Sequence, residues 1–220
     1  MSKSVHRLID AEVADQIILI DDCSDDNSYK IAEQLSKKFK NITIKSKEKN
    51  EGKGSCIIYA KEFIDSSHMI VHDADLEYDP NDIKELYSAS KQNPDSLILG
   101  SRTIGNVERN KKYKTLAFIN KILAILFSIL NNYRVSDITS CYMLMPSNFF
   151  KENIKNEKGF SMEIEQLSKF LQTKNEIIEI PISYDGRSYK NGKKIYLFDG
   201  LNILRNIIKY SKFFKFFRRK

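Results

Sequence analysis

The chain reads as an α/β protein with a mainly parallel central sheet flanked by helices. Three observations predict this. Short apolar runs at residues 16–20, 42–45, 69–72 and 97–99 alternate with segments of helical spacing, the pattern of strands joined by helical crossovers. Polar clusters close several of those runs: Asp21-Asp22, Asp73-Ala74-Asp75 and Gly100-Ser101-Arg102. In open sheets of this kind ligands bind beyond the carboxyl ends of the strands, so the three clusters converge on one rim. Finally, 220 residues with 41% hydrophobic and 30% charged content suit a single well-packed globular domain.

The elements follow in order. Residues 16–20 are a buried strand that stops at Asp21-Asp22. Residues 27–39 place Ile31, Leu35 and Phe39 on one helical face, and 42–45 form a second strand. Asn50-Glu51-Gly52-Lys53-Gly54 is a turn, followed by a helix over 56–64. A strand over 69–72 leads to Asp79-Pro80, where Asp at N-cap and Pro at the first helical position start a helix over 80–90. The strand at 97–99 ends at Gly100-Ser101-Arg102. Residues 117–131 are mostly apolar with a narrow stripe of Asn120, Lys121, Ala124 and Ser128. Strands at 143–145 and 177–184 and a helix over 161–171 complete the domain, with no repeat and no linker. One domain therefore covers 1–200, and 201–220 is a tail.

Composition narrows the function classes. A net charge of +7 favours anionic partners, namely phosphates, nucleic acid or an acidic membrane surface. Cys23, Cys56 and Cys141 are scattered and odd in number, so no disulfide framework or zinc spacing is legible and a reducing, cytosolic setting is expected. The N-terminus lacks the apolar core of a signal peptide, and no run has the length of a spanning helix. His6, His68 and His72 make no ligand cluster, and no Ser-His-Asp or Cys-His nucleophile is evident.

The acidic stretch after the third strand carries the chemistry. Strand side chains repeat with period two, so Asp73 and Asp75 share a side. Paired carboxylates repel unless a cation lies between them, and hard divalent ions such as Mg²⁺ or Mn²⁺ suit oxygen ligands and complete their shell with water and phosphate. The plainer alternative is helix-start chemistry, with the acids merely capping the next helix.

The remaining motifs decide between them. Asp21-Asp22-Cys23-Ser24-Asp25-Asp26-Asn27-Ser28 resembles the Asp-Asp-Gly-Ser segment of family 2 glycosyltransferases with the GT-A fold. Asn50-Glu51-Gly52-Lys53-Gly54 is similar to the Asn-x-Gly-Lys-Gly that follows it there. Asp73 to Pro80 resembles the metal motif of the polyprenyl-phosphate sugar synthases of the dolichol-phosphate mannosyltransferase type. Gly100-Ser101-Arg102, Asp137-Ile138-Thr139-Ser140-Cys141-Tyr142 and Glu179-Ile180-Pro181 with Tyr184, Arg187 and Gly192-Lys193 follow in the same order. The likeness runs from about residue 17 to residue 200.

The resemblance implies a metal-assisted transfer of a sugar, with inversion, from a GDP- or UDP-sugar to a polyprenyl phosphate, with Mg²⁺ or Mn²⁺ as cofactor. It implies Asp73, Asp75 and Glu77 at the metal, Glu77 directly or through water. It implies catalytic roles for Asp75, Arg102 and Arg187. It implies substrate contacts from Asp21, Asp22, Lys53, Asp73, Arg102, Ser140, Arg187 and Lys193. Asp21 serves the nucleotide or an Asx-turn, and Lys53 the nucleotide or a helix start. Arg102 would clamp phosphate, because guanidinium matches phosphate geometry. A phosphate acceptor is already ionised at neutral pH and needs little general-base help, which fits the lack of an obvious base. A glycan acceptor is the runner-up, and an inactive or partner-dependent homologue the third reading.

Two departures from the family matter. Cysteine replaces glycine at Cys23 and Cys141, harmless unless positive φ is required. The N-terminus, 1–15, does not resemble the family's first strand. The sequence thus predicts either a truncated protein or one whose strand comes from another chain or an upstream frame, with an unpaired edge that favours association, as a homo-oligomer or with a partner chain. The tail sets Arg205, Lys209, Lys212, Lys215 and Arg219 against Leu204, Ile207, Ile208, Phe214 and Phe217. It is either a basic amphipathic helix for the cytosolic face of an anionic membrane or a helix docked on the core. Nucleic acid is not expected, since the aromatics are not interleaved as a stacking platform.

Overall fold

The computed structural model describes residues 1–105, 114–155, 162–173, 175–186 and 197–217. A helix opens it: α1 (Ser2–Ala11) buries Val5, Leu8 and Ala11 on one face and stops where Glu12 turns left-handed at φ 53°. It leads into β1 (Ile17–Asp21). The helix α2 (Ser28–Lys38) then crosses to β2 (Ile42–Ser46), which runs parallel to β1 with Ile17 opposite Ile42.

Next come α3 (Lys53–Ala60), a short 3-10 turn (Lys61–Phe63), β3 (His68–Met69), α4 (Asp82–Gln92) and β4 (Leu97–Ser101). The second half supplies α5 (Lys114–Asn131), β5 (Met143–Pro146), α6 (Ser147–Asn153), α7 (Met162–Leu171), β6 (Ile177–Pro181), α8 (Leu197–Tyr210) and α9 (Lys212–Phe217). Strands β3-β5-β4-β6 form one mixed sheet: β4 and β6 are parallel, and β5 runs against both β3 and β4. Strands β1 and β2 form a separate two-stranded sheet.

Period-two alternation sends side chains to two cores. Leu97, Leu99, Met143 and Met145 face one, against Phe127 of α5, Leu167 and Phe170 of α7 and Ile207 of α8. Ile98 and Leu144 face the other, with Val5 and Leu8 of α1, Leu35 of α2 and Leu86 of α4. Strand β4 is buried along its whole length, as its unbroken apolar run requires.

The structure departs from the sequence reading at several points. Helix α1 was not foreseen, nor was α6. The strand expected at 69–72 shortens to His68–Met69, because β5 pairs it over only two residues. Helix α3 begins at Lys53, three residues early, because Gly52 supplies a φ of 84° at its N-cap. Asp79-Pro80 does not start α4. The N-cap is Asn81, and Asp79 instead accepts the Asn81 amide at 3.0 Å in an Asx-turn before the helix.

The tail is two helices. Ser211 breaks it by accepting the Phe214 amide at 3.1 Å, while Asn131 at the end of α5 accepts the Lys212 amide at 3.2 Å. The boundary expected at residue 200 falls inside α8, which packs on α5 and α7 through the buried Asn206 and Ile207. Among the described residues no helix is long and apolar enough to cross a membrane.

Candidate functional site

The carboxyl ends of β1 and β3 meet the start of α3. Asp22, just past β1, accepts hydrogen bonds from the Glu51 amide at 3.1 Å and the Gly52 amide at 2.6 Å, and an ion pair from Lys47 at 3.1 Å. Burial works against its charge, but those three donors outweigh it and hold the carboxyl below its usual range. Asp22 thus pins the 50–54 turn to the end of β1. Asp21 accepts the Ser24 amide at 3.1 Å and closes the following loop. That loop carries Cys23 at φ 59°, a left-handed position where the family pattern has glycine.

Lys53, at the first position of α3, reaches across to Asp73, with Nζ 2.8 Å and 3.0 Å from its two oxygens. The same ammonium lies 3.4 Å from Glu163 of α7. Burial pulls the lysine pKa down, yet the charges of Glu163 and Asp73 prevail and push it above its ordinary value. Glu163 is half-buried, and its desolvation raises its pKa despite Lys53. Its Oε2 has no hydrogen-bond partner among the described residues.

Past β3, Asp75 accepts the Glu77 amide at 3.0 Å. Glu77 is buried, at 8% exposure, and its carboxylate accepts the Tyr184 hydroxyl. It therefore ties the 73–79 loop to the segment after β6, where the Asp185 amide also bonds the Glu77 carbonyl at 2.9 Å. Among the described residues no three of His, Cys, Asp and Glu are grouped as a metal site. The expected trio of Asp73, Asp75 and Glu77 is thus not brought together as a ligand set: Asp73 shares the Lys53 ammonium with Glu163, Asp75 caps the Glu77 amide, and Glu77 is taken by Tyr184. Asp73 and Asp75 are hard oxygen donors of the kind that suits a divalent ion completed by water and diphosphate.

Arg102 departs from the expected phosphate clamp. Its Nε and Nη2 both lie 2.7 Å from the Asp137 carboxylate, Nη2 is 2.8 Å from Thr139, and the guanidinium sits over the Tyr184 ring at 4.9 Å. Burial disfavours both charges. The pairing overcomes it, raising the arginine pKa and lowering that of Asp137. The fork that would grip phosphate is filled by Asp137.

Ser140 likewise turns inward. It is fully buried, and its hydroxyl accepts the Tyr142 amide at 3.3 Å, so it shapes its own loop. Arg187 and Lys193 lie outside the described residues. Gly100, before Arg102, lets the backbone approach closely, since a Cβ there would stand 3.0 Å from Ile182 and Tyr142.

Two participants escaped the sequence reading. His72, read there as a bystander, bridges Tyr142 (2.8 Å) and Ser4 of α1 (3.0 Å), and burial pulls its pKa to about 4 against the opposing charge of Asp73. Glu163 was missed too. The only signal was an acid on the apolar side of a helix, beside Met162 and Ile164.

Comparisons with known proteins identify the family and the fold. The family model described as Glycosyl transferase family 2 matches residues 2–154. An uncharacterized protein of Methanocaldococcus jannaschii is 26% identical over 203 residues, covering 88% of this chain and 86% of that protein. The dolichol-phosphate mannosyltransferase of Pyrococcus furiosus is also 26% identical over 203 residues, 90% of this chain but 55% of that enzyme. The chain thus spans about half the length of the mannosyltransferase.

Glucosyl-3-phosphoglycerate synthase from Mycobacterium tuberculosis, solved with Mn²⁺, UDP-glucose and phosphoglyceric acid, superposes with a TM-score of 0.65 at 11% identity, over 95% of this chain and 75% of that one. S. aureus TarS with UDP gives 0.58 at 15% identity, over 96% and 63%. At such identities these two likenesses speak for the fold alone.

Proposed function

The chain belongs to glycosyl transferase family 2, and from that premise we propose that it moves a sugar from a GDP- or UDP-sugar to a polyprenyl phosphate at the cytosolic face of a membrane, with inversion at the anomeric carbon. The observation that carries this reading is the rim where Asp22, Lys53, Asp73 and Glu163 converge. Asp73 and Asp75 would hold Mg²⁺ or Mn²⁺ there. Such an ion supplies positive charge to the departing nucleoside diphosphate. Asp22 fixes the 50–54 turn beside the nucleotide. Lys53 neutralises Asp73 and Glu163 so that acids can crowd one rim. Glu77, through Tyr184, and Arg102, through Asp137, position the loops around it.

Two observations support a lipid phosphate as acceptor. One is the relation to a dolichol-phosphate mannosyltransferase. The other is an apolar surface on the packed helices α5, α8 and α9. Phe118, Ile119, Ile122, Ile125 and Ile129 of α5 are exposed at helical spacing, beside exposed Leu201, Ile208, Phe213 and Phe214. Exposed basic residues border them at Lys121, Arg205, Lys209 and Lys212. Apolar area with basic residues suits a bilayer of anionic lipid.

The test has two arms. Calorimetric titration with GDP and UDP, with and without Mn²⁺, should show metal-dependent binding of one nucleotide, weakened at least tenfold in Asp73→Asn. Transfer of labelled sugar should then follow to polyprenyl phosphate in vesicles. Metal-dependent nucleotide binding with transfer only to a glycan would replace the acceptor. No binding by folded protein would favour an inactive or partner-dependent homologue.

A further inference from the structure

Lys53 stands where a lysine is locally unfavourable. It opens α3, directly after Gly52 at the N-cap, and a cation there meets the positive end of the helix dipole. Its backbone is nonetheless anchored. The Gly52 amide donates to Asp22 at 2.6 Å and the Glu51 amide at 3.1 Å, which ties the start of α3 to the end of β1. Two acids from other elements offset the dipole. The ammonium lies 2.8 Å and 3.0 Å from the two Asp73 oxygens and 3.4 Å from Oε1 of Glu163. A local preference overridden by a tertiary contact is characteristic of functional sites.

The two acids are not equivalent. Asp73 gives both oxygens to Lys53, and among the described residues its carboxylate has no other partner. Glu163 gives one oxygen, at the longer distance. Its other oxygen, Oε2, is shut off from solvent and has no hydrogen-bond partner among the described residues. A carboxylate oxygen left open in this way is costly and asks for a partner in some state of the molecule. The donor within reach is the ammonium that already touches Oε1. Lys53 therefore has a second position, on Glu163, beside the one it holds on Asp73.

A divalent ion and an ammonium compete for one carboxylate, because both are drawn to its oxygens and repel each other at that range. We propose that Lys53 is a two-position counter-ion: without donor it holds Asp73 in place of the divalent ion, and the ion gains Asp73 only as the ammonium moves onto Glu163. The inference rests on the reading of Asp73 as a metal ligand. It makes Lys53 and Glu163 positioning residues. Lys53 keeps the bare ion out, and Glu163 sets how readily the lysine lets go. It also accounts for an acid on α7 between the buried Met162 and Ile164.

Mn²⁺ affinity of the purified chain without nucleotide, read from the spin-resonance signal of free Mn²⁺, tests it. Lys53→Met removes the competitor and should bind Mn²⁺ about tenfold more tightly than wild type. Lys53→Arg keeps a cation at Asp73 and should not. Glu163→Gln removes the second position and should weaken Mn²⁺ binding about fivefold. In the Lys53→Met background the same change should lose most of that effect, because no lysine remains to be moved. A direct readout covers variants that fold poorly. In wild-type chain with ¹⁵N-labelled lysine, Mg²⁺ should shift the Lys53 ammonium resonance and leave in place that of Lys47, which pairs with Asp22.

Three results would overturn the proposal: Lys53→Met binding Mn²⁺ no more tightly than wild type, Glu163→Gln weakening both backgrounds equally, or a Lys53 resonance unmoved by Mg²⁺. Metal-dependent nucleotide binding by wild type alongside any of these keeps the donor site and loses the switch. The expected affinities with no transfer to any acceptor keep the switch and lose the reaction.

Discussion

At the scale of single residues, Cys23, the Arg102–Asp137 pair and His72 stand in conformations or states with measurable cost. Cys23 holds φ 59° and is exposed, so its side chain strains the backbone without packing in return. Cys23→Gly should stabilise the fold by about 1 kcal/mol, a rise of about 2–4 °C in Tm by calorimetry. The Arg102–Asp137 pair is buried and bidentate. Asp137→Asn leaves an uncompensated guanidinium and should cost about 3–5 kcal/mol in urea unfolding. His72 has a folded pKa of about 4, below its ordinary value of about 6.5. A lowered folded pKa means its contribution is complete above about pH 6.5 and is lost as pH falls toward 4. Glu163, with a raised pKa, acts with the opposite sign on acidification. The measurement is therefore a difference: between pH 6.5 and 4 the wild-type chain should lose more stability than His72→Gln. The aspartate motifs were legible because acids after an apolar run stand out in any sequence. The pairing of Arg102 with Asp137, thirty-five positions apart, was not, because nothing local marks which distant carboxylate a guanidinium will meet.

At the scale of elements, α5 shows two opposite faces of one helix. Phe127 is fully buried in the core with Leu167, Phe170 and Ile207, so Phe127→Ala should cost about 3–5 kcal/mol by chemical denaturation. Ile122 and Ile125 face outward, and replacing both with serine should change stability by less than about 0.5 kcal/mol while reducing co-sedimentation with vesicles. The strands at 17, 42 and 97 and the helix at 28 were legible in outline, since their apolar period is fixed by local sequence. The early start of α3 at Gly52 and the break at Ser211 were missed. Each depends on a backbone hydrogen bond or dihedral that composition does not reveal. Helix α1 escaped because its four buried positions, Ser4, Val5, Leu8 and Ala11, include only two large apolar side chains.

At the scale of the whole molecule, the charge of +7 and the basic border of the α5–α8–α9 surface act together. Binding to vesicles with anionic lipid should exceed that to neutral vesicles and weaken steeply between 0.05 and 0.5 M salt, about the range over which screening shortens below 10 Å. Salt-independent binding would place the attraction in the apolar residues alone. By itself, the sequence determined the α/β class and the family, and pointed to a rim at the ends of the strands carrying Asp21-Asp22, Asp73-Ala74-Asp75 and Gly100-Ser101-Arg102, because apolar period and motif order are local properties that survive without coordinates. Only the tertiary structure decided that Arg102 and Ser140 face inward, that Glu163 completes the charge balance at Lys53, and that the sheet is broken between β1 and β3. Those outcomes depend on which distant groups come within hydrogen-bond reach, and that is set by packing the two cores, not by any stretch of chain alone.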